Sequence, residues 1–217
     1  MNKNIFKMIL ITIFLGVLVV SLTACNGSKS GSEALPEEIN FGILRVPNDE
    51  TIAMVEDYFD EYFKEKGIKC NFTVFDSGSE ANQALASGSI DFATMGNINA
   101  VTALSRDLGV EMIWIHEVLG EIEALAVKDD SGINNIKDLA GKRVAVPFAS
   151  TCHYVLLNAL KNAGIRDEVQ LLDMQTAEIV AAWKRGDIQA AYLWQPTLGE
   201  VLETGKVLVS SKEMAKR

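Results

Sequence analysis

Short β-branched runs alternate with helical stretches from residue 39 to residue 209, and this alternation constrains the fold more than any other feature. Strands are expected at 39–44, 71–75, 90–95, 111–117, 123–128, 143–146, 169–172, 188–193 and 206–209. Helices are expected at 50–66, 79–87, 97–108, 151–163, 176–185 and 196–203. In the first of these, Met54, Val55, Tyr58, Phe59, Tyr62 and Phe63 recur at the three- and four-residue spacing that lines one helix face. Strands that alternate with helices in this way form mostly parallel sheets with both faces covered. The fold class is therefore α/β.

The chain also echoes itself. Leu85-Ala86-Ser87-Gly88-Ser89-Ile90-Asp91-Phe92-Ala93 is matched by Trp183-Lys184-Arg185-Gly186-Asp187-Ile188-Gln189-Ala190-Ala191. Each run places a glycine, free to take the left-handed cap conformation, just before an isoleucine that opens a strand. Phe75-Asp76 and Leu172-Asp173 hold similar places upstream. Two like units imply two lobes, although helix–glycine–strand junctions are common in unrelated chains as well. The polar stretch 128–138 is the natural boundary, giving one lobe over 39–127 and a second over 128–209. Residues 210–217 then begin a return towards the hinge.

The N-terminus has a different build. Lys3 and Lys7 precede an apolar run at 8–20, and small residues lead into Leu22-Thr23-Ala24-Cys25. This is the layout of a secretory signal, and a cysteine at the cut makes it a lipoprotein signal covering residues 1–24. Cleavage frees the Cys25 thiol for diacylglycerol and its amino group for a further acyl chain. Each buried methylene contributes ~0.8 kcal/mol, and two chains suffice for stable anchoring. The alternative, an uncleaved membrane helix, needs ~20 apolar residues and the run is shorter. Residues 25–38, rich in glycine and serine, read as a flexible linker. The expected location is extracytoplasmic, lipid-anchored to a bacterial cell membrane.

Without the two signal lysines the formal charge moves from −9 to −11. So acidic a chain repels nucleic-acid phosphates, and no nucleic-acid partner is expected. Cys70 and Cys152 lie in segments that look far apart and are expected to be reduced. The sequence holds no glycine loop ending in Lys-Ser/Thr, no HExxH, no CxxC and no GxSxG. His116 reads as a core or rim residue of an apolar strand. Cys152 and His153 are adjacent on a helix and so point to different sides. No catalytic residue, metal site or cofactor is expected, and the chain is not read as an enzyme.

What remains is a pair of polar helix entrances directly after strands: Met95-Gly96-Asn97 and Phe148-Ala149-Ser150-Thr151-Cys152-His153. Free N–H groups and the positive dipole end make such entrances anion sites. In open α/β sheets ligands collect at the carboxyl ends of strands. Plain N-capping by Asn97, Ser150 or Thr151 would account for the same residues.

The runs FDSGSEANQAL (75–85), ASGSID (86–91), EALAVK (123–128), GKRVAVPFASTCHY (141–154) and AAWKRGDIQAAYLW (181–194) resemble the taurine-binding proteins of bacterial ABC importers. Those proteins group with binders of aliphatic sulfonates, nitrate and thiamine precursors. The resemblance runs collinearly from about residue 39 to 209. It implies a type II periplasmic-binding-protein fold: two lobes of mostly parallel sheet flanked by helices, clamping a ligand between them. It also implies a monomer that delivers a small sulfonate to an ABC permease and its ATPase. Transport of nitrate or a thiamine precursor, or a sensory or degenerate binding module without an importer, are the alternatives.

By this resemblance Ser150, Thr151 and His153 seat the sulfonate, with Asn97 opposite. Glu123 meets a ligand ammonium, forms a hinge salt bridge or faces solvent as a free carboxylate, and Tyr154 and Trp194 wall the pocket or pack in the core. One departure is Gly96-Asn97-Ile98-Asn99, where taurine binders carry Gly-Ser-Ser-Pro. The chain also stops at Arg217, well short of the family length. The expectation is a truncated product lacking the C-terminal part of the first lobe, with strand 123–128 left as an unpartnered, aggregation-prone edge.

Overall fold

The computed structural model describes residues 35–216. The expected signal segment, the lipidation site Cys25 and linker residues 26–34 lie outside the described residues. Among the described residues no helix is long and apolar enough to cross a membrane.

Strands β1 (Glu38–Leu44), β2 (Lys69–Phe75) and β3 (Phe92–Ala93) make a parallel sheet in the order β2–β1–β3. Helices α1 (Asp49–Val55) and α2 (Tyr58–Lys64) join β1 to β2, and α3 (Gly78–Ser87) joins β2 to β3. Helix α4 (Asn97–Ser105) follows β3. The single helix expected at 50–66 is two, because Asp57 takes φ 57°, a left-handed conformation that ends the first piece. Of its apolar stripe, Phe59 and Phe63 reach the sheet and lie 5.0 and 6.4 Å from the Phe41 ring. Phe41 in turn stacks on Phe72 at 5.5 Å and Phe92 at 5.4 Å. Val55 and Tyr62, on the same stripe, stay exposed.

Two expected strands are corrected here. The third shrinks to Phe92–Ala93, its ladder limited to Phe41 and Gly42, although Ile90 is buried. Residues 111–117 form no strand, and Met112, Ile113, Trp114 and Ile115 are exposed. A β-branched run becomes a strand only against an edge that can pair with it, and two-residue β3 offers almost none. His116 sits at a rim, with Nδ1 3.1 Å from Asp49 Oδ1.

The second sheet contains β4 (Glu123–Lys128), β5 (Arg143–Val146), β6 (Gln170–Asp173), β7 (Ala190–Trp194) and β8 (Gly205–Ser210), in the order β6–β5–β7–β4–β8. Helix α5 (Thr151–Ala163) links β5 to β6, α6 (Thr176–Arg185) links β6 to β7, and α7 (Thr197–Leu202) links β7 to β8. A short helix α8 (Ser211–Met214) closes the described chain. Strands β5, β6 and β7 are parallel, whereas β4 runs antiparallel to both its neighbours.

The expectation of an orphaned edge at 123–128 is therefore corrected. β4 pairs with β7 on one side and β8 on the other, and Glu123 to Val127 are buried. A run apolar at consecutive positions needs cover on both faces and a partner at both edges, and β7, β8 and their helices supply them. The strand lies in the second sheet, so the passage between sheets falls in residues 106–122, ahead of the polar stretch 128–138.

Period-two alternation sorts the second sheet's faces. Leu125, Val127, Val144, Val146 and Tyr192 pack with Leu156 and Leu160 of α5. Ala124, Ala126, Ala145 and Ala191 face the other way, and their small side chains let Ile179 and Trp183 of α6 and Leu198 and Val201 of α7 come close. The sequence echo corresponds to a shared cap: Gly88 (φ 70°) and Gly186 (φ 81°) end α3 and α6 in the left-handed conformation.

Candidate functional site

Parallel strands end on one side, so β1, β2 and β3 deliver their helices to one end of the first sheet, and β5, β6 and β7 do the same for the second. The two ends meet where α3, α4 and α5 begin. Asn99, in the first turn of α4 and buried, donates from Nδ2 to the Ala149 carbonyl at 3.0 Å, joining the first sheet's helices to the loop before α5. The same amide nitrogen lies 3.4 Å from Ser79 Oγ on α3, and Asn82 Nδ2 donates to the Asn99 carbonyl at 2.9 Å. Gly96 caps α4, and a methyl group in place of its hydrogen would sit 2.4 Å from Thr151 Oγ1. Only glycine lets the Thr151 hydroxyl approach the α4 entrance this closely. Three helix N-termini, each with a positive dipole end, thus converge on one spot, which is an environment for an anion.

The loop before α5 is firmly held. Phe148 N–H donates to Asp173 Oδ1 at 2.9 Å, and Ala149 adopts φ 58°. Ser150, buried, donates from Oγ to the Pro147 carbonyl at 2.6 Å and accepts the His153 N–H at 3.1 Å. Its hydroxyl proton is therefore spent on the protein, and the residue acts as the N-cap. His153 accepts the Ala149 N–H at Nδ1, 3.3 Å away, and stacks on Phe148 with centroids 4.2 Å apart. Burial holds its pKa below the ordinary histidine range. An accepting Nδ1 puts the proton of the neutral ring on Nε2.

The remaining expected residues are distributed unevenly. Thr151 is half-buried and faces Gly96. Asn97 is exposed at the first position of α4, while Asn99, two residues on, points inward. Tyr154 is 56% exposed in the first turn of α5. Trp194 is half-buried and pairs across the ladder with Glu123. Glu123 is only 3% exposed, and its carboxyl accepts from Ser211 Oγ at 3.0 Å and from the Cys152 thiol, so it does not face the open cleft. Cys70 and Cys152 are both free.

Sequence reasoning missed Asn99, Ser79 and an acidic rim. Asn99 belonged to a run already singled out, and the helical period would have turned its third position inward. The rim is Asp49, Glu50 and Glu117, at the carboxyl end of β1 and beside His116. Glu50 accepts from Asn48 Nδ2 at 3.3 Å and bonds Thr94 Oγ1. Burial raises the Glu117 pKa; His116 opposes the rise, and Asp49 and Glu50 add to it.

The family described as the substrate binding domain of the ABC-type glycine betaine transport system matches residues 46–215. The chain belongs to this family. Members are substrate-binding domains. Among similar proteins, the taurine-binding periplasmic protein of Escherichia coli is 41% identical over 154 residues, which is 70% of this chain and 48% of that protein. The chain thus spans about half the length of that relative. The periplasmic aliphatic sulphonate binding protein of Escherichia coli superposes with a TM-score of 0.68 at 25% identity, covering 81% of this chain and 61% of that one. The alkanesulfonate-binding protein of Xanthomonas axonopodis pv. citri, bound to MOPS, gives a TM-score of 0.76 at 23% identity, covering 82% of this chain and 62% of that one. These likenesses establish the family's fold of two α/β lobes for the matched part.

Proposed function

We propose that this chain is the extracytoplasmic solute-binding subunit of an ABC importer and captures taurine or a similar small sulfonate. The convergence of the α3, α4 and α5 N-termini on Thr151 and Gly96 carries the reading. A sulfonate is an anion at every physiological pH, so oriented N–H and hydroxyl donors suit it better than titrating groups. The acidic rim of Asp49, Glu50 and Glu117 lies on the same side of the first sheet and suits the ammonium of a zwitterion. The taurine-binding relative supports the same ligand class. Asn97, Ser150, His153, Tyr154 and Trp194 remain part of this proposal as the rim and walls around the Thr151 seat, with the seat itself at Thr151 and the backbone of the helix entrances.

Titration calorimetry with taurine, ethanesulfonate, glycine betaine and nitrate tests it. Taurine should bind most tightly, ethanesulfonate more weakly for want of the amine, and nitrate least. Tighter binding of glycine betaine than of taurine would move the assignment to a carboxylate ligand with a quaternary amine.

Delivery to a permease and ATPase, as a monomer anchored through Cys25, completes the proposal. Cys25→Ser should leave an unlipidated precursor that keeps residues 1–24, detected as a mass shift of the membrane fraction. Normally acylated protein from that variant would remove the anchor from the reading.

A further inference from the structure

Beneath the anion seat lies a set of buried polar groups that ligand binding does not use. Glu123 opens β4 at the same end of the second sheet where β5, β7 and β8 finish. Its carboxyl accepts from Ser211 Oγ at 3.0 Å, and Ser211 Oγ lies 2.9 Å from Tyr192 OH. From the other side comes Cys152, fully buried, one residue after Thr151 in the first turn of α5. One carboxyl therefore touches β4, α5 and α8, and through Ser211 it reaches β7.

We infer that Glu123 is a positioning residue: by binding Cys152 and Ser211 it fixes the first turn of α5, so that Thr151 is presented to Gly96. The inference rests on the reading of Thr151 as part of the anion seat. It also reassigns Glu123 from ligand contact to support.

The surroundings demand a neutral group. Glu123 faces Cys152 on α5, Tyr192 on β7, Ser211 on α8 and, farther off, Glu117 of the connecting segment. No cation is among these groups. Lys212, the nearest lysine in sequence on α8, turns outward to Glu121 at 3.1 Å. A buried carboxylate without a cation is costly, and such a group keeps its proton instead. Burial accordingly pushes the Glu123 carboxyl up from its ordinary 4.5, against the opposing hydrogen bonds from Ser211 and Cys152. Burial and Glu123 together drive the Cys152 thiol well above its usual range, and the Tyr192 phenol is pushed up as well. All three are thus shifted towards their protonated forms.

Linkage fixes the sign of the pH effect. The folded pKa lies above the ordinary 4.5, so as pH rises the unfolded chain releases the Glu123 proton before the folded chain does. Stability from this residue is thus complete below that value, declines as pH rises through the folded pKa, and then levels off. Glu123→Gln, neutral throughout, should remove this slope.

The experiment uses the Cys25→Ser, Cys70→Ser protein, in which Cys152 is the remaining thiol, with Glu123 kept or changed to Gln or Ala. Three readouts are compared: labelling of Cys152 by a disulfide reagent, the pH dependence of the urea midpoint, and calorimetry with taurine and ethanesulfonate. Glu123→Gln should keep Cys152 protected, flatten the pH profile, and hold both affinities within about twofold. Glu123→Ala should expose Cys152 to labelling about tenfold faster by loosening the α5 turn, and weaken both ligands alike. Selective loss of taurine in Glu123→Gln overturns the inference, because the carboxylate would then be meeting the ammonium. So does a Glu123→Ala protein with Cys152 as protected as the parent. If the parent binds neither ligand, the sulfonate reading fails, while labelling and the pH slope still decide the role of Glu123.

Discussion

Trp183→Ala should lower the unfolding free energy by about 3–5 kcal/mol, the largest single-residue loss expected in the fold. The indole is 1% exposed and lies among Ile179, Leu198 and Val201 over the alanine face of the second sheet. Its Nε1 donates to Thr204 Oγ1 at 3.0 Å, and Lys128 Nζ stands 5.2 Å from the ring centroid. Nothing on the sheet side can refill the space, because Ala124, Ala126, Ala145 and Ala191 have no side-chain length to give. Urea titrations of parent and variant measure the loss. A difference below about 1 kcal/mol would show that α6 and α7 collapse into the gap.

Thr151→Ala should weaken taurine by about tenfold to a hundredfold, since a lost donor to a charged ligand in a closed site costs ~1.5–3 kcal/mol. The lobe should stay folded, because the N-cap of α5 is Ser150 and its bond to the His153 N–H is untouched. Gly96→Val attacks the same contact from the other side, placing bulk where Thr151 Oγ1 already stands at 2.4 Å from a would-be methyl. Overpacking costs ~1–3 kcal/mol of stability, and a loss of taurine affinity is expected where the added bulk pushes Thr151 away from the α4 entrance. Calorimetry reads both. Should Thr151→Ala bind taurine as tightly as the parent, the anion seat lies elsewhere in the cleft.

How much of this was legible beforehand depends on whether the cause is local. Helices α5 and α6 coincide with their expected ends, because Ser150 caps one and Gly164 and Gly186 stop the two at left-handed positions. β4, β5 and β8 were legible as strands, since continuous apolar runs bounded by polar residues need no partner to be recognised. Partnership itself was not legible. Nothing in EALAVK states that β8 returns to its free side, nor that MIWIH (112–116) finds no ladder. Among site residues, Thr151 was visible as a short polar residue at a helix entrance. The burial of Glu123 was not legible, because Ser211 and Cys152, which bond to it, are distant in sequence. The inward turn of Asn99 was not legible from its place in the run, because it depends on direction around the helix.

The place of β4 between β7 and β8 bears on how the chain assembles. Glu123 and Ser211 are 88 residues apart in sequence, yet they are bonded neighbours. A strand that leads its sheet in chain order but sits between the last two strands must wait for both. As the chain emerges from its N-terminus, β1, β2 and β3 are all present by Ala93, whereas β4 has no lasting neighbour until Ala190–Trp194 appears and is enclosed only when Gly205–Ser210 follows. Such long-range pairing makes formation slow, with closure entropy spent before the contacts are gained. The sheet around β4 therefore closes only when Gly205–Ser210 joins it, and the first turn of α5, tied to Ser211 through Glu123, gains that tie only afterwards.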